Sequence, residues 1–186
     1  MSQNFTFTEI SGKNKFRIAT TDTSTPEDGG VKSPEWMIKI GDLLTSEVED
    51  FNDYCELFGW YGESSRLTTG DISNQLFTSA TLKHSDLIVI LPNGGYGAQL
   101  ESKMNLGIPL PIVQIVRLGN IKSTKVKLQV VDFTLCRIQS FQQQLDRLIV
   151  SLSISSKTNT VYVYDINGTN KGQMVSRVDY AKNTAE

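Results

Sequence analysis

The clearest ordering of apolar and polar positions lies between Ile112 and Asp165. Apolar and β-branched residues recur there, often at every second position, in VQIVRL, KVKLQVVDFTLCRIQSF, LDRLIVSLSISS and TVYVYD, with short polar breaks between them. A period of two is the strand period, because successive side chains point to opposite faces. The pattern is cleanest in Arg147–Ser156. Leu148, Val150, Leu152 and Ile154 share one face, and Ser151, Ser153 and Ser155 share the other. The first face predicts a core wall. The second is a wall of small hydroxyls, suited to solvent or to a wide aqueous channel.

Upstream, Trp36–Ile40 predicts a short strand with Trp36, Ile38 and Ile40 on one face. Gly41–Asp53 reads as an acidic loop, Tyr54–Tyr61 as a strand, Ser64–Ser73 as a loop, Gln75–Lys83 as a strand and Leu87–Leu91 as a buried strand. The chain then changes period. Tyr96, Leu100 and Met104 recur at i, i+4 and i+8, which predicts one helix over about residues 95–106. Gly107 stops it, and Pro109 and Pro111 prevent its resumption. Beyond Ile112 only strands are expected, with a turn at Gly119-Asn120 and a bulge at Val130-Val131. Asn167-Gly168 marks a hairpin turn inside Asp165–Gly172.

Residues 1–35 read as an N-terminal extension. Phe5 and Phe7 alternate with Thr6 and Thr8, and Phe16 and Ile18 form a second short run, so an edge hairpin around Ser11–Asn14 is expected. The Thr, Ser, Pro, Asp and Gly residues of Asp22–Pro34 then read as a flexible loop. Residues 36–180 form the main domain, and residues 181–186 a frayed tail. The fold class expected is mainly β: a small β-barrel of two packed antiparallel sheets with one flanking α-helix.

Composition narrows the function classes. The chain has 186 residues, enough for one well-cored domain, and 39% of them are hydrophobic, which favours a globular fold. The net charge is −2, without the basic surplus that neutralises phosphates, so no nucleic-acid partner is expected. No apolar run approaches the roughly 20 residues of a membrane-spanning helix, and no membrane insertion is expected. MSQNFTFTEI lacks the basic and apolar regions of a signal peptide, so synthesis in the cytoplasm and any export by another route are expected.

Candidate chemistry is sparse. Cys55 and Cys136 read as small buried hydrophobes. His84 is the single histidine, so a His-rich metal site is excluded and no CxxC is present. A pairing of His84 with Cys55 or Cys136 stays open, but catalysis is not expected. The carboxylates Glu47, Glu49, Asp50 and Asp53 lack the ligand order and the glycine of an EF-hand loop. Gly95-Tyr96-Gly97 after a strand looks like half a dinucleotide fingerprint. Leu100 stands where its third glycine belongs, and no acidic residue ends the next strand. No cofactor is expected. A β-barrel that binds a glycan or small ligand near Trp36 or Trp60 is the alternative reading.

The order of elements resembles the Hcp family, the haemolysin-coregulated proteins that form the inner tube of type VI secretion systems and are related to phage tail tubes. WMIKIGDLLTSEVEDFNDYCELFGWYGES resembles the opening strand, extended loop and second strand. DLIVILPNGGYGAQLESKMNLGIPLPIVQIV resembles the strand–helix–strand unit. VKLQVVDFTLCRIQSF and LIVSLSISSKTNTVYVYDINGTNKGQMVSRVDY resemble the closing strands. Two features depart from the family pattern: Ser2–Glu35 is extra, and Ser176–Tyr180 replaces the usual ending. The resemblance implies a homo-oligomer, a hexameric ring whose copies stack into a tube. The tube's partners would be a contractile sheath and baseplate, a spike protein at the tip, and secreted effectors in the lumen. It implies a cytoplasmic assembly exported by the machine itself. Leu43, Leu44, Glu47, Glu49, Asp50 and Asp53 would form the ring-stacking loop. Ser151, Ser153 and Ser155 would be a candidate lumen face.

Overall fold

The computed structural model describes residues 35–44, 50–69, 79–121 and 124–185. The hairpin and loop expected in residues 1–34 lie outside them. Twelve strands and one helix are described. Six strands dominate: β1 (Trp36–Ile40), β7 (Leu110–Ile121), β8 (Thr124–Gln143), β9 (Arg147–Ser153), β10 (Ser156–Tyr164) and β11 (Asn170–Asp179). The others are β2 (Cys55–Glu56), β3 (Gly59–Tyr61), β4 (Ser64–Thr69), β5 (Ser79–His84), β6 (Leu87–Pro92) and β12 (Thr184–Ala185); α1 spans Tyr96–Asn105.

All ladders are antiparallel, and β8 is the hinge of the architecture. Its first part pairs with β7 and β10, in the order β12-β11-β10-β8-β7-β1-β2. Its last part, Arg137–Gln143, pairs with β9, which continues to β6 and β3. The change of partner follows Leu135, which holds a left-handed φ of 49°. One long strand thus serves two sheet layers, and the main core fills the space between them. Ile38, Ile40, Val113, Ile115, Val131 and Phe133 come from one layer; Leu87, Val89, Leu91, Leu148, Val150 and Leu152 come from the other.

The expected barrel does not close. On the side opposite β8, β2 pairs only with β1 and β3 only with β6. The chain crosses between layers at two residues. The Leu57 N–H donates to Trp36 O at 3.0 Å, and the Phe58 N–H to Ile90 O at 2.9 Å. A crossing this short makes a corner, because two residues cannot supply a ladder to both neighbours.

Three local expectations are also corrected. Ser64–Ser73 was expected as a loop, yet Ser64–Thr69 is a strand paired with β5. This ribbon pairs with no strand of the body. Its polar residues need no apolar alternation, because Ser64, Ser65 and Arg66 are exposed rather than set against a core. Gly119-Asn120 was expected as a turn, but β7 runs on to Ile121. The glycine serves packing there: a Cβ on Gly119 would lie 2.6 Å from Leu128 Cδ1. The Val130-Val131 break is not a bulge. Both residues are buried, on opposite faces of the sheet, while the register shifts lie at Arg117/Leu118 and Ile138/Ser140.

Val130 belongs to a second apolar cluster on the outer face, with Met37, Phe51, Tyr54, Val116 and Leu118. Phe51 and Tyr54 descend onto the sheet from the acidic loop. Helix α1 buries Gly97 and Leu100, and Gly107 follows it at φ +64°. A Cβ on Gly97 would stand 3.1 Å from Leu148 Cδ1, so this glycine lets the helix approach β9.

Candidate functional site

Three surface elements carry the residues singled out from the sequence. The first is the acidic loop. It leaves β1 through Gly41, and Leu43 N–H returns to Ile40 O at 3.1 Å. Leu44 is buried in the main core, and Leu43 packs against that core half-exposed. Leu44 roots the loop in the body. Glu47 and Glu49 lie outside the described residues. Asp50 is exposed with φ 65°.

The loop's return is clamped. Phe51 and Tyr54 pack edge to face at 5.4 Å, over Met37 and Val116. Tyr54 OH hydrogen-bonds Gln114 Oε1, and Lys39 pairs with Asp53. The hydrogen bond from Lys39 holds the Asp53 carboxyl below the usual carboxylate range, against the opposing effect of desolvation. Burial, with the nearby Asp53 and Asp132 charges, pushes the Tyr54 phenol up. The Lys127 ammonium sits 5.6 Å from each of the two rings, within cation–π range. This end of the loop is bound to the body by apolar burial, an ion pair and two rings.

The second element is the outward face of β9. Leu148, Val150 and Leu152 are fully buried and Ile154 nearly so, as the alternation requires. Ser151 and Ser153 are half-buried on the opposite side. Ser151 Oγ donates to Asp86 Oδ2 at 3.1 Å. Ser155 lies just beyond the strand, its Oγ donating to Leu135 O at 3.4 Å. Register extends this face across neighbouring strands. Tyr61, Ile88, Ser151 and Ser140 form one row, and Gly59, Ile90, Ile149 and Gln142 the next. Arg137 stands opposite Ser153. The wall therefore mixes hydroxyls and amides with isoleucine, which the β9 serines alone did not reveal.

The third element is the β4–β5 ribbon, whose second strand overlaps the expected strand Gln75–Lys83 and whose first was expected as a loop. At its root the Ser85 N–H donates to Glu63 O, and the Glu63 N–H to Ser85 Oγ, both at 2.9 Å. Glu63 also accepts the Tyr61 hydroxyl at 2.8 Å.

The candidate catalytic residues are held by different neighbours. Cys55 is buried with its Sγ 3.5 Å from Tyr96 OH, and burial raises its thiol. Cys136 is fully buried, and burial pushes its thiol up to about 12, far from a reactive thiolate. The His84 ring instead rests on Tyr180, with centroids 4.4 Å apart. Among the described residues, no group of three His, Cys, Asp or Glu side chains could hold a metal ion. Trp36 and Trp60 meet edge to face at 5.9 Å and pack on the core, Trp60 also against Phe133. Both rings are partly buried in this packing.

No family model matches the chain, and no curated protein matches it. Solved structures do. A type six secretion system protein superposes with a TM-score of 0.70 at 15% identity, covering 83% of this chain and 100% of its own. The fold is that of the Hcp proteins. Hcp1 from Salmonella typhimurium superposes with a TM-score of 0.63 at 16% identity, over 81% of this chain and 97% of its own. Secreted Hcp3 from Pseudomonas aeruginosa gives 0.53 at 13% identity, over 75% and 97%. Identities this low establish a shared Hcp fold. The resemblance read from the order of strands, helix and turns is thus met in three dimensions, across almost the whole length of the relatives. No helix of the described residues is long and apolar enough to cross a membrane.

Proposed function

We propose that this chain is a structural subunit of the inner tube of a contractile secretion machine of the type VI kind, and not an enzyme. The observation that carries this reading is the superposition on a type six secretion system protein over that protein's full length. Six copies close into a ring, rings stack into a tube, and effectors travel in the lumen. Sheath, baseplate and tip spike are its partners, and the tube leaves the cell by its own machine. Closed rings need head-to-tail contacts about a rotation axis. The open edge of β11 offers one half of such a contact. Among the described residues only Val178 and Asp179 of that strand pair outward, with β12, and no described strand pairs with Asn170–Arg177 on that side.

The half-exposed face bearing Ser151, Ser153 and Ser155 is our candidate for the lumen wall. Its small polar groups limit the apolar burial that would trap cargo. We assign stacking to the β4–β5 ribbon rather than to the whole of Leu43–Asp53. Leu44 and Asp53 are engaged by the body, whereas the ribbon leaves the body sheets altogether. Glu47, Glu49 and Asp50 remain candidates for the ring-facing surface. Sedimentation velocity and negative-stain microscopy of purified protein test the proposal. Rings that lengthen into tubes with concentration support it. A monomer at every concentration refutes it.

A further inference from the structure

The ribbon has no ladder to the body, yet one short piece of chain grips its base. Between β11 and β12 the chain turns back on itself. Asp179 Oδ1 accepts the Lys182 N–H at 3.0 Å, and the Lys182 ammonium lies 3.5 Å from Asp179 Oδ2. The turn is fixed to the body by the Tyr180 N–H, which donates to Ser155 O at 3.0 Å, and by the Tyr180 ring, which packs against the main core. From that anchor the turn reaches both strands of the ribbon. Tyr180 straddles the rung formed by Ser64 and His84: its hydroxyl hydrogen-bonds Ser64 Oγ, and its ring lies on the His84 imidazole. Three residues on, Asn183 Oδ1 accepts the Leu82 N–H at 2.7 Å.

The last contact satisfies a backbone donor on β5, which among the described residues has no strand beyond it; an open donor of this kind invites pairing with another chain. It also explains the residue. Asn183 has φ 56°, a left-handed conformation that asparagine tolerates better than most residues, and its amide supplies the acceptor. A turn required only to reverse the chain would need neither the aromatic ring at position 180 nor the carbonyl at 183.

We infer that Tyr180–Asn183 is a strap that fixes the ribbon to the body. Releasing it loosens the ribbon and leaves the body folded. The step from there to the tube rests on the function proposed above: if the ribbon stacks rings, the strap controls how readily they stack.

Hydrogen exchange on the full chain tests the strap in any oligomeric state. Asn183→Ala should raise exchange at the Leu82 amide by roughly tenfold or more. Tyr180→Ala should extend the rise to residues 64–66 and 81–84. Exchange in β7, β8 and β9 should stay at the parent level. Asn183 is exposed, so that variant keeps the test valid if Tyr180→Ala does not fold. Ribbon exchange that stays at the parent value, or that rises only together with the body strands, overturns the strap. Stacking measured on the same variants separates the two ideas. Faster ribbon exchange with unchanged ring stacking upholds the strap and counts against the ribbon as the stacking arm.

Discussion

Phe51→Ala separates a clamped acidic loop from one that projects freely. Phe51 is 4% exposed and sits in an outer cluster with Met37, Tyr54, Val116, Leu118 and Val130. Removing the ring gives up about 2–3 kcal/mol of apolar burial. It also ends the edge-to-face contact with Tyr54 at 5.4 Å, a further ~1 kcal/mol. The cluster lies on the outer face, so part of this loss shows as local opening rather than as global unfolding. The Tyr54 amide, which donates to Phe51 O at 3.0 Å, reports that opening directly. Its exchange should accelerate by roughly a hundredfold, the equivalent of about 3 kcal/mol. The urea midpoint should fall as well. Phe51→Leu should recover most of both effects, because it restores volume without the ring. A change below about 1 kcal/mol in both readouts would refute the clamp, since a ring free in solvent costs little to remove.

Two further outcomes follow from the same geometry. Leu152→Ala should cost about 3–4 kcal/mol in urea unfolding, because the side chain is fully buried between the layers, whereas Ser153→Ala should stay within about 0.5 kcal/mol; similar costs for the two would mean that β9 is not two-faced. The Asp165 carboxyl accepts the Thr169 N–H at 2.8 Å, chiefly for which reason it is held below the usual carboxylate range. A lowered folded-state value contributes stability above the unfolded value and loses it as pH falls through the folded one. Exchange protection at Thr169 and Asn167 should therefore drop below about pH 4, and Asp165→Asn should flatten the dependence. Protection unchanged down to strongly acid pH would contradict it.

What the chain revealed in advance follows from how each element is held. β9 and α1 were legible because each sets one face against a core: Leu148, Val150 and Leu152 at period two, and Tyr96 and Leu100 at helical spacing. Gly97 was read as part of a strand-to-helix turn and not as a phosphate loop, and its proximity to Leu148 supplies the physical reason. The ribbon was half legible: its second strand overlaps the expected Gln75–Lys83, but its first was not, because Ser64, Ser65 and Arg66 are exposed and carry no apolar alternation. The outer cluster was hidden for a different reason. Phe51 stands among Glu49, Asp50 and Asp53, where local composition favoured a solvated loop, and Tyr54 was read as opening a strand; neither reading folds the two rings back on Met37 and Val130. Nor could sequence show that Tyr180 and Asn183 grip residues about a hundred positions upstream. The shared face of Ser151, Ser153 and Ser155 was read from alternation alone, and its proposed place on a lumen wall from the resemblance. The structure adds Ile88 and Ile149 to their wall by register, which no single strand displays.

Native mass spectrometry of the purified chain tests the central claim most directly. The subunit mass is 20.7 kDa, so a closed ring of six weighs about 124 kDa. The account predicts that species, with multiples of it as rings stack. A spectrum holding only the 20.7 kDa monomer across the accessible concentration range would contradict it.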